Sequence, residues 1–343
     1  MILLWRTRAM TLTHNIYNDL SVSLSAGKHQ ILSKVYTTPN GISLIYAMNR
    51  DTEKRALYFV AEEKSVDSMP RCKGLDIGKV HLYEYSPVDF FCEIAQNSGD
   101  ESYMFEIIIE DIRKNADELN DKQQLVARVS KLLIKWKNFF AQEKSLMLSP
   151  ERQQGLYGEL LFLKQLIGMF GTSAVSFWTG CDYETHDFYI RGNAVEIKTT
   201  SSKAPYKMHI SSEYQLDDSE ISGELLVDFF ALRKSSADGE TLPQLIDDIR
   251  FKLDDNPLMR KKFDTNLETY GYFDGLEDKY TTGYHIREEH SYRVTDRFPR
   301  IVKRDISNGI SGCTYDVLVN SCASFEITAS EKEHKMKGSE EIV

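Results

Sequence analysis

The chain has 343 residues, a formal net charge of −10, 41% hydrophobic residues and 27% charged residues. That is enough for two domains of ordinary size, each with its own core, and the balance excludes a disordered or fibrous polymer. Net acidity argues against a protein that coats nucleic acid by overall positive charge, although a local basic surface can coexist with acidic faces.

Cys72, Cys92, Cys181, Cys313 and Cys322 are widely spread, with no Cys-x-x-Cys pair and no Cys/His ligand spacing. Neither a zinc site nor a disulfide framework is expected, and the pattern fits a reducing, cytoplasmic compartment. No run is read as a membrane span, and Met1 to Trp5 is too short for a signal-peptide core. Met10 is an alternative start.

In chain order, residues 16–110 read as short strands at Val22 to Leu24, Ile42 to Met48, Arg55 to Val60, Val80 to Tyr85 and Tyr103 to Ile109. Pro39-Asn40-Gly41 and Gly74 provide turns between them. We therefore expect a β-rich domain over 10–115, of open role: target recognition, partner docking or a platform. His14, His29 and His81 are isolated and read as ordinary surface or packed residues. From Asp111 to Phe140 apolar residues recur at steps of three and four, which predicts one long amphipathic helix, with 116–148 serving as a connector.

Ser149-Pro150-Glu151 is a helix start, with Ser as cap, Pro at the first position and an acid in the first turn. The helix should run to about Phe170, before Gly171. Glu159 lies at helical spacing with Leu156, Leu163 and Leu166, so a carboxylate is carried on the apolar stripe. A buried acid needs a partner.

His186 to Thr200 reads as a β-hairpin. Phe188 and Ile190 alternate with Asp187 and Tyr189, Val195 and Ile197 alternate with Glu196 and Lys198, and Gly192-Asn193 lies between. A two-residue Gly192-Asn193 loop would pair Ile190 with Val195 and Asp187 with Lys198. It would also put Asp187, Glu196 and Lys198 on one face. An odd loop would turn Asp187 away.

Further along, Lys207 to Ile210 reads as a strand followed by Ser211, Ser212 and Gln215, and Glu224 to Leu232 as a strand buried on both faces. Helices follow at Thr241-Leu242-Pro243 and over Pro257 to Tyr270, then strands near Tyr284 to Val294 and Tyr315 to Val319. Lys279 to Arg304 is locally basic, with Arg293, Arg297 and Arg300 among its cations and Tyr284, Tyr292 and Phe298 interspersed, and is the candidate for phosphate-backbone contact. After Ser330 the composition predicts a frayed tail over 331–343. His285 and His290, five apart with Glu288 and Glu289 between them, do not share a helical face and are not read as a metal site. No Gly-rich phosphate loop occurs, so ATP-driven work would fall to a partner.

Two carboxylates on one strand face repel unless a cation lies between them, and hard oxygen donors with open positions suit Mg²⁺. An amine beside the ion can hold or help deprotonate a water, as phosphodiester hydrolysis requires. Asp187 with Glu196-Ile197-Lys198 resembles the signature of the PD-(D/E)XK nuclease superfamily. The combination of Gly155-Leu-Tyr-Gly-Glu-Leu, Trp178-Thr-Gly180, His186-Asp-Phe, Val195-Glu-Ile-Lys-Thr-Thr and Ile210-Ser-Ser to Gln215-Leu216 is similar to bacterial PD-(D/E)XK motif proteins found near restriction or phage-defence genes. Cys181 stands where relatives often have Pro, a departure that bears only on a loop.

The resemblance implies a mixed α+β chain whose residues 149–330 form a restriction-endonuclease-like core, a central mixed sheet flanked by helices. It implies that Asp187, Glu196 and the Ile197 carbonyl hold Mg²⁺, with Mn²⁺ able to substitute. Glu159 would support that ion or a second one, and Lys198 would position or activate water. Gln215 and Ser211, together with the three arginines, would contact substrate. The implied activity is Mg²⁺-dependent DNA cleavage in a restriction or antiviral system, with DNA as partner, an ATPase or methyltransferase as companion, and a homodimer where both strands are cut. Two readings stay open beside it. One is a catalytically silent DNA-binding or scaffold subunit. The other is an ordinary sheet in which Asp187 and Lys198 form a cross-strand ion pair contributing about 0.2–1 kcal/mol.

Overall fold

The computed structural model describes residues 11–26, 30–72, 74–97, 102–142, 147–182 and 184–338, which divide into two compact units. The first comprises the chain up to 146 with 273–276, and the second 147–272 with 277–343.

The first unit is built on a five-stranded antiparallel sheet. Its strands are β1 (Ile31–Thr37), β2 (Ser43–Asn49), β3 (Arg55–Val60), β4 (Leu75–Val80) and β5 (Phe91–Gln96), in the spatial order β1-β2-β3-β5-β4. Helix α1 (Leu12–Ala26) occupies the segment in which a strand at Val22 to Leu24 was expected, and the short α2 (Glu63–Asp67) follows β3. The strand expected over Val80 to Tyr85 lies earlier, ending at Val80.

Tyr103 to Ile109 corrects the sequence reading more sharply, because it belongs to helix α3 (Ser102–Asp117). Phe105, Ile108, Ile109, Ile112 and Ala116 are buried at helical spacing, and Glu106 and Glu110 on the same helix find partners that a strand's alternation would not present to them. The single long helix expected over Asp111 to Phe140 is two. A break at 118–121, with the Asp121 side chain accepting from the Gln123 amide, separates α3 from α4 (Leu125–Gln142). Helix α4 is part of this unit's core: Trp136 is buried and its ring meets that of Phe273 at 4.9 Å. Of the three histidines, His14 pairs with Glu106 at 2.7 Å and His81 packs on the Phe90 ring, while His29 lies outside the described residues.

The second unit opens with helix α5 (Pro150–Phe170), with Ser149 as N-cap and Gly171 closing it. Its sheet contains β6 (Phe188–Ile190), β7 (Asn193–Thr200), β9 (Leu225–Ser235), β10 (Glu240–Thr241) and β11 (Gly283–Val294), once β8 (Lys207–Ile210) has left to form a separate ladder. Helices α6 (Leu242–Lys252) and α7 (Pro257–Tyr270) precede β11. The chain then runs through β12 (Tyr315–Leu318) and β13 (Glu326–Ile327) to α8 (Ala329–Lys337). The spatial order is β10-β11-β9-β7-β6, with β13 also on β11, and β7 and β9 are parallel while the other pairs are antiparallel. This is the mixed sheet and mixed α+β class expected from the sequence.

One face of the sheet carries α5. The other is covered by the β8–β12 ladder, with Met208, Ile210, Leu216, Val317 and Cys322 packed on Ala194, Val227 and Phe229.

Helix α5 and the turn after it, over 150–177, are long and apolar enough to cross a membrane by length and composition, contrary to the sequence reading. In the fold, Leu156, Leu160, Phe162, Leu163 and Leu166 are fully buried against the protein, as in a helix sandwiched inside a core. The segment after Ser330 also departs from expectation: α8 is capped by Thr328, and Lys332 is buried, pairing with the buried Asp228 of β9 at 2.5 Å. Polar composition suggested fraying, yet one buried ion pair holds this helix to the sheet. Residues 339–343 lie outside the described residues.

Candidate active site

The hairpin forms with a two-residue loop, but the loop is Arg191-Gly192, at φ 50° and 89°. Ile190 therefore pairs with Asn193 and Phe188 with Val195, a register displaced by two residues from the one expected. Both residues of such a turn need positive φ. Asn193 is instead held in β7 by its side chain, which accepts from the Glu224 amide at 2.8 Å and donates to the Lys335 carbonyl at 3.2 Å. Because side chains alternate with period two, a shift of two preserves every face. Continuing the ladder sets Asp187 opposite Glu196 rather than Lys198.

Two glycines bring helix and hairpin together. A Cβ on Gly158 would lie 2.3 Å from Thr199 Cγ2, so the absence of a side chain there lets α5 rest directly on β7 and delivers Glu159 to its edge. A Cβ on Gly180 would lie 2.8 Å from Glu159 Oε2 and 2.9 Å from Asp187 Oδ1, so the two carboxylates flank one methyl-sized space. The Gly180 segment is fixed by the Thr179 and Gly180 amides, which both donate to the Asp187 carbonyl, at 2.9 and 3.0 Å.

Each charged group has a distinct setting. Glu159 is buried and accepts from Trp178 Nε1 at 2.7 Å and from the Tyr270 hydroxyl. Burial pushes its carboxyl up to about 7, reinforced by nearby Glu196 and opposed by those two hydrogen bonds and by Lys198. Asp187, half-buried, accepts from the Ile197 amide at 2.7 Å. Desolvation, then the charges of Glu196 and Glu159, hold its carboxyl well above the usual aspartate range.

Glu196 and Lys198 are both buried, and Lys198 Nζ donates to Glu196 Oε1 at 2.7 Å and to Gln215 Oε1 at 2.8 Å. The Ser211 amide donates to the same Gln215 oxygen, also at 2.8 Å. Gln215 therefore positions the lysine. Two of the three Lys198 N–H donors are committed, which leaves one for a water or a phosphate oxygen.

Glu159, Asp187, Glu196 and Lys198 thus meet at one edge of the sheet, three acids against one local cation. No three His, Cys, Asp or Glu donors among the described residues converge tightly enough to hold an ion as they stand. The donors nevertheless suit one in kind. They are hard carboxylate oxygens, two of them with raised proton affinity, and Glu196 Oε2 is buried without a hydrogen-bond partner.

The expected phosphate-binding arginines are a different matter. The Arg300 side chain is 3% exposed and ties the Leu216 carbonyl to Asp218, so it braces the fold. Arg293 pairs with Glu224 at 2.7 Å, Arg297 is exposed, and Tyr284, Tyr292 and Phe298 are buried and cannot stack on bases. Trp178, Tyr270 and His186 join the site without having been assigned to it. The signal for the first was the need of a buried Glu159 for a donor, whereas Tyr270 comes from a helix far along the chain and left no local trace.

A family model described as "Putative PD-(D/E)XK family member, (DUF4420)" matches residues 13–320. No curated protein and no solved structure matches the chain.

Proposed function

We propose, from the premise that this chain belongs to that PD-(D/E)XK family, that it is a metal-dependent DNA endonuclease working at the Glu159–Asp187–Glu196–Lys198 edge. The observation carrying this reading is the meeting of three acids with one lysine where Gly158 and Gly180 allow close approach. For a structural role alone, a buried acid cluster with so little positive charge is a costly arrangement, and a divalent cation would relieve it.

Asp187, Glu196 and the Ile197 carbonyl would hold Mg²⁺ or Mn²⁺, with Glu159 beside them. The bound ion supplies charge neutralisation at the scissile phosphate. Lys198 uses its remaining N–H to orient the attacking water or a non-bridging phosphate oxygen, while Glu196 and Gln215 fix its Nζ. Gln215 and Ser211 act on substrate through that lysine. Of the three arginines, Arg297 is left as the candidate for phosphate contact. We propose with it a cytoplasmic restriction or antiviral role, with an ATPase or methyltransferase companion and pairing of two copies for double-strand cuts.

Plasmid incubated with the full chain and Mg²⁺ or Mn²⁺ should be nicked or linearised, and Asp187→Asn should abolish this. Cleavage that survives the substitution would remove the assigned site. The second reading, a catalytically silent DNA-binding scaffold, is favoured by the way the acids are already engaged: Asp187 and Glu196 accept from the Ile197 amide and Lys198 Nζ, and no three His, Cys, Asp or Glu donors among the described residues converge. DNA binding without cleavage in either metal would support it.

A further inference from the structure

We propose that His186 is a positioning residue that holds Glu196 when a divalent cation occupies the site; this rests on the metal reading above. His186 is 3% exposed, immediately precedes Asp187, and its Nδ1 lies 3.6 Å from Glu196 Oε2. Both atoms are buried and neither has a hydrogen-bond partner. Two unmatched buried polar atoms facing each other are a costly pair unless a further event satisfies them.

The rest of Glu196 explains why the contact is open. Its Oε1 is drawn toward Lys198 at 2.7 Å, which turns Oε2 to the imidazole without closing the gap. A carboxylate that binds a cation must be held against rotation, and an imidazole N–H on its flank is a recurrent way of doing so. A shift of a few tenths of an ångström would close the contact. The ring lines a cavity of about 490 Å³ together with Tyr189 and Tyr214, and its neighbour Tyr189 meets it edge-on with centroids 5.7 Å apart. Nδ1–H then donates to Glu196 Oε2.

The test is calorimetric titration of the full chain with MnCl₂, comparing wild type with His186→Asn and His186→Phe, each checked for folding by its melting temperature in EDTA. Asn can place an amide N–H near the position of Nδ1, whereas Phe fills the ring's space without a donor. The expected result is Mn²⁺ affinity retained within about threefold in the Asn variant and lowered tenfold or more in the Phe variant.

A wild type that takes up no Mn²⁺ would sink the site reading together with this inference. Mn²⁺ uptake by wild type that is unchanged in His186→Phe would sink the inference alone. Should the Phe variant not fold, a long-range ¹H–¹⁵N spectrum of the wild type with MgCl₂ decides the matter. A proton on His186 Nδ1 supports the positioning role, and an unprotonated Nδ1 overturns it.

Discussion

The two units bury carboxylates in opposite ways. In the first, Glu106 meets Arg55 at 2.6 Å and His14 at 2.7 Å, and Glu110 accepts from Arg113 at 2.6 and 3.0 Å and from the Thr13 hydroxyl at 2.6 Å. Burial alone would raise the Glu110 carboxyl, yet the hydrogen bonds from Arg113 and Thr13 outweigh it and leave the group below the ordinary glutamate value. In the second unit, among the described residues, Glu159 has the neutral donors Trp178 and Tyr270, and it shares the site with two more acids and one lysine. Its carboxyl moves the other way. The first arrangement is a finished brace, and the second lacks positive charge that the described residues do not supply. This contrast separates a structural acid from a candidate functional one better than burial does.

The contrast can be broken at either end. Lys198→Ala should lower plasmid cleavage by about 10²–10⁴-fold, the range expected when a group that orients or deprotonates water is removed. A comparable cleavage rate in the variant would leave the lysine as a structural counter-ion. Glu110→Ala should act on stability instead. It removes two Arg113 bonds, leaving that guanidinium its Asp117 and Tyr36 partners, and takes the acceptor from buried Thr13, so it should destabilise the first unit by about 1–3 kcal/mol in urea denaturation, without altering Mn²⁺ affinity at the second unit. If Glu110→Ala weakens metal binding as much as Asp187→Asn does, the division of roles between the units is mistaken.

Much of the second unit could be read from residues because its signals are local. Ser149, Pro150 and Gly171 bracket α5, and period-two alternation placed Asp187, Glu196 and Lys198 on one face whichever even register the turn adopts. The register itself was not legible. Arg191-Gly192 and Gly192-Asn193 are both plausible turns, and the choice depends on Glu224 and Lys335, which come from distant elements.

The first unit was misread wherever β-branched runs imitate strands. Ile107-Ile108-Ile109 looks extended, and only the tertiary partners of Glu106 and Glu110 reveal a helix face. Arg300 shows the same limit for function, since a run of cations says nothing about which of them the fold consumes.

The smallest expected effect is the most specific to the contrast. Glu159→Gln keeps a side-chain oxygen to accept from Trp178 but removes the buried charge. The glutamate holds its proton up to about pH 7 in the folded chain and only to its ordinary value near 4.5 when unfolded. Between those values the folded state binds more protons than the unfolded one, so this group makes metal-free stability fall as pH rises, levelling off above about 7. Raised Asp187 adds a fall of the same sign.

The Gln variant should therefore gain on wild type in EDTA as pH goes from 5 to 8, by about 1–3 kcal/mol in urea denaturation. Saturating Mn²⁺ at pH 8 should reverse the order, because the ion stabilises the wild-type carboxylate and has less to hold in the amide. For Glu110→Gln the pH trend has the opposite sign: a folded-state value below the ordinary one makes wild-type stability rise with pH, so this variant loses ground to wild type as its glutamate ionises. Parallel pH trends in the two variants would mean that the acids of the two units differ in position only, and not in what they await.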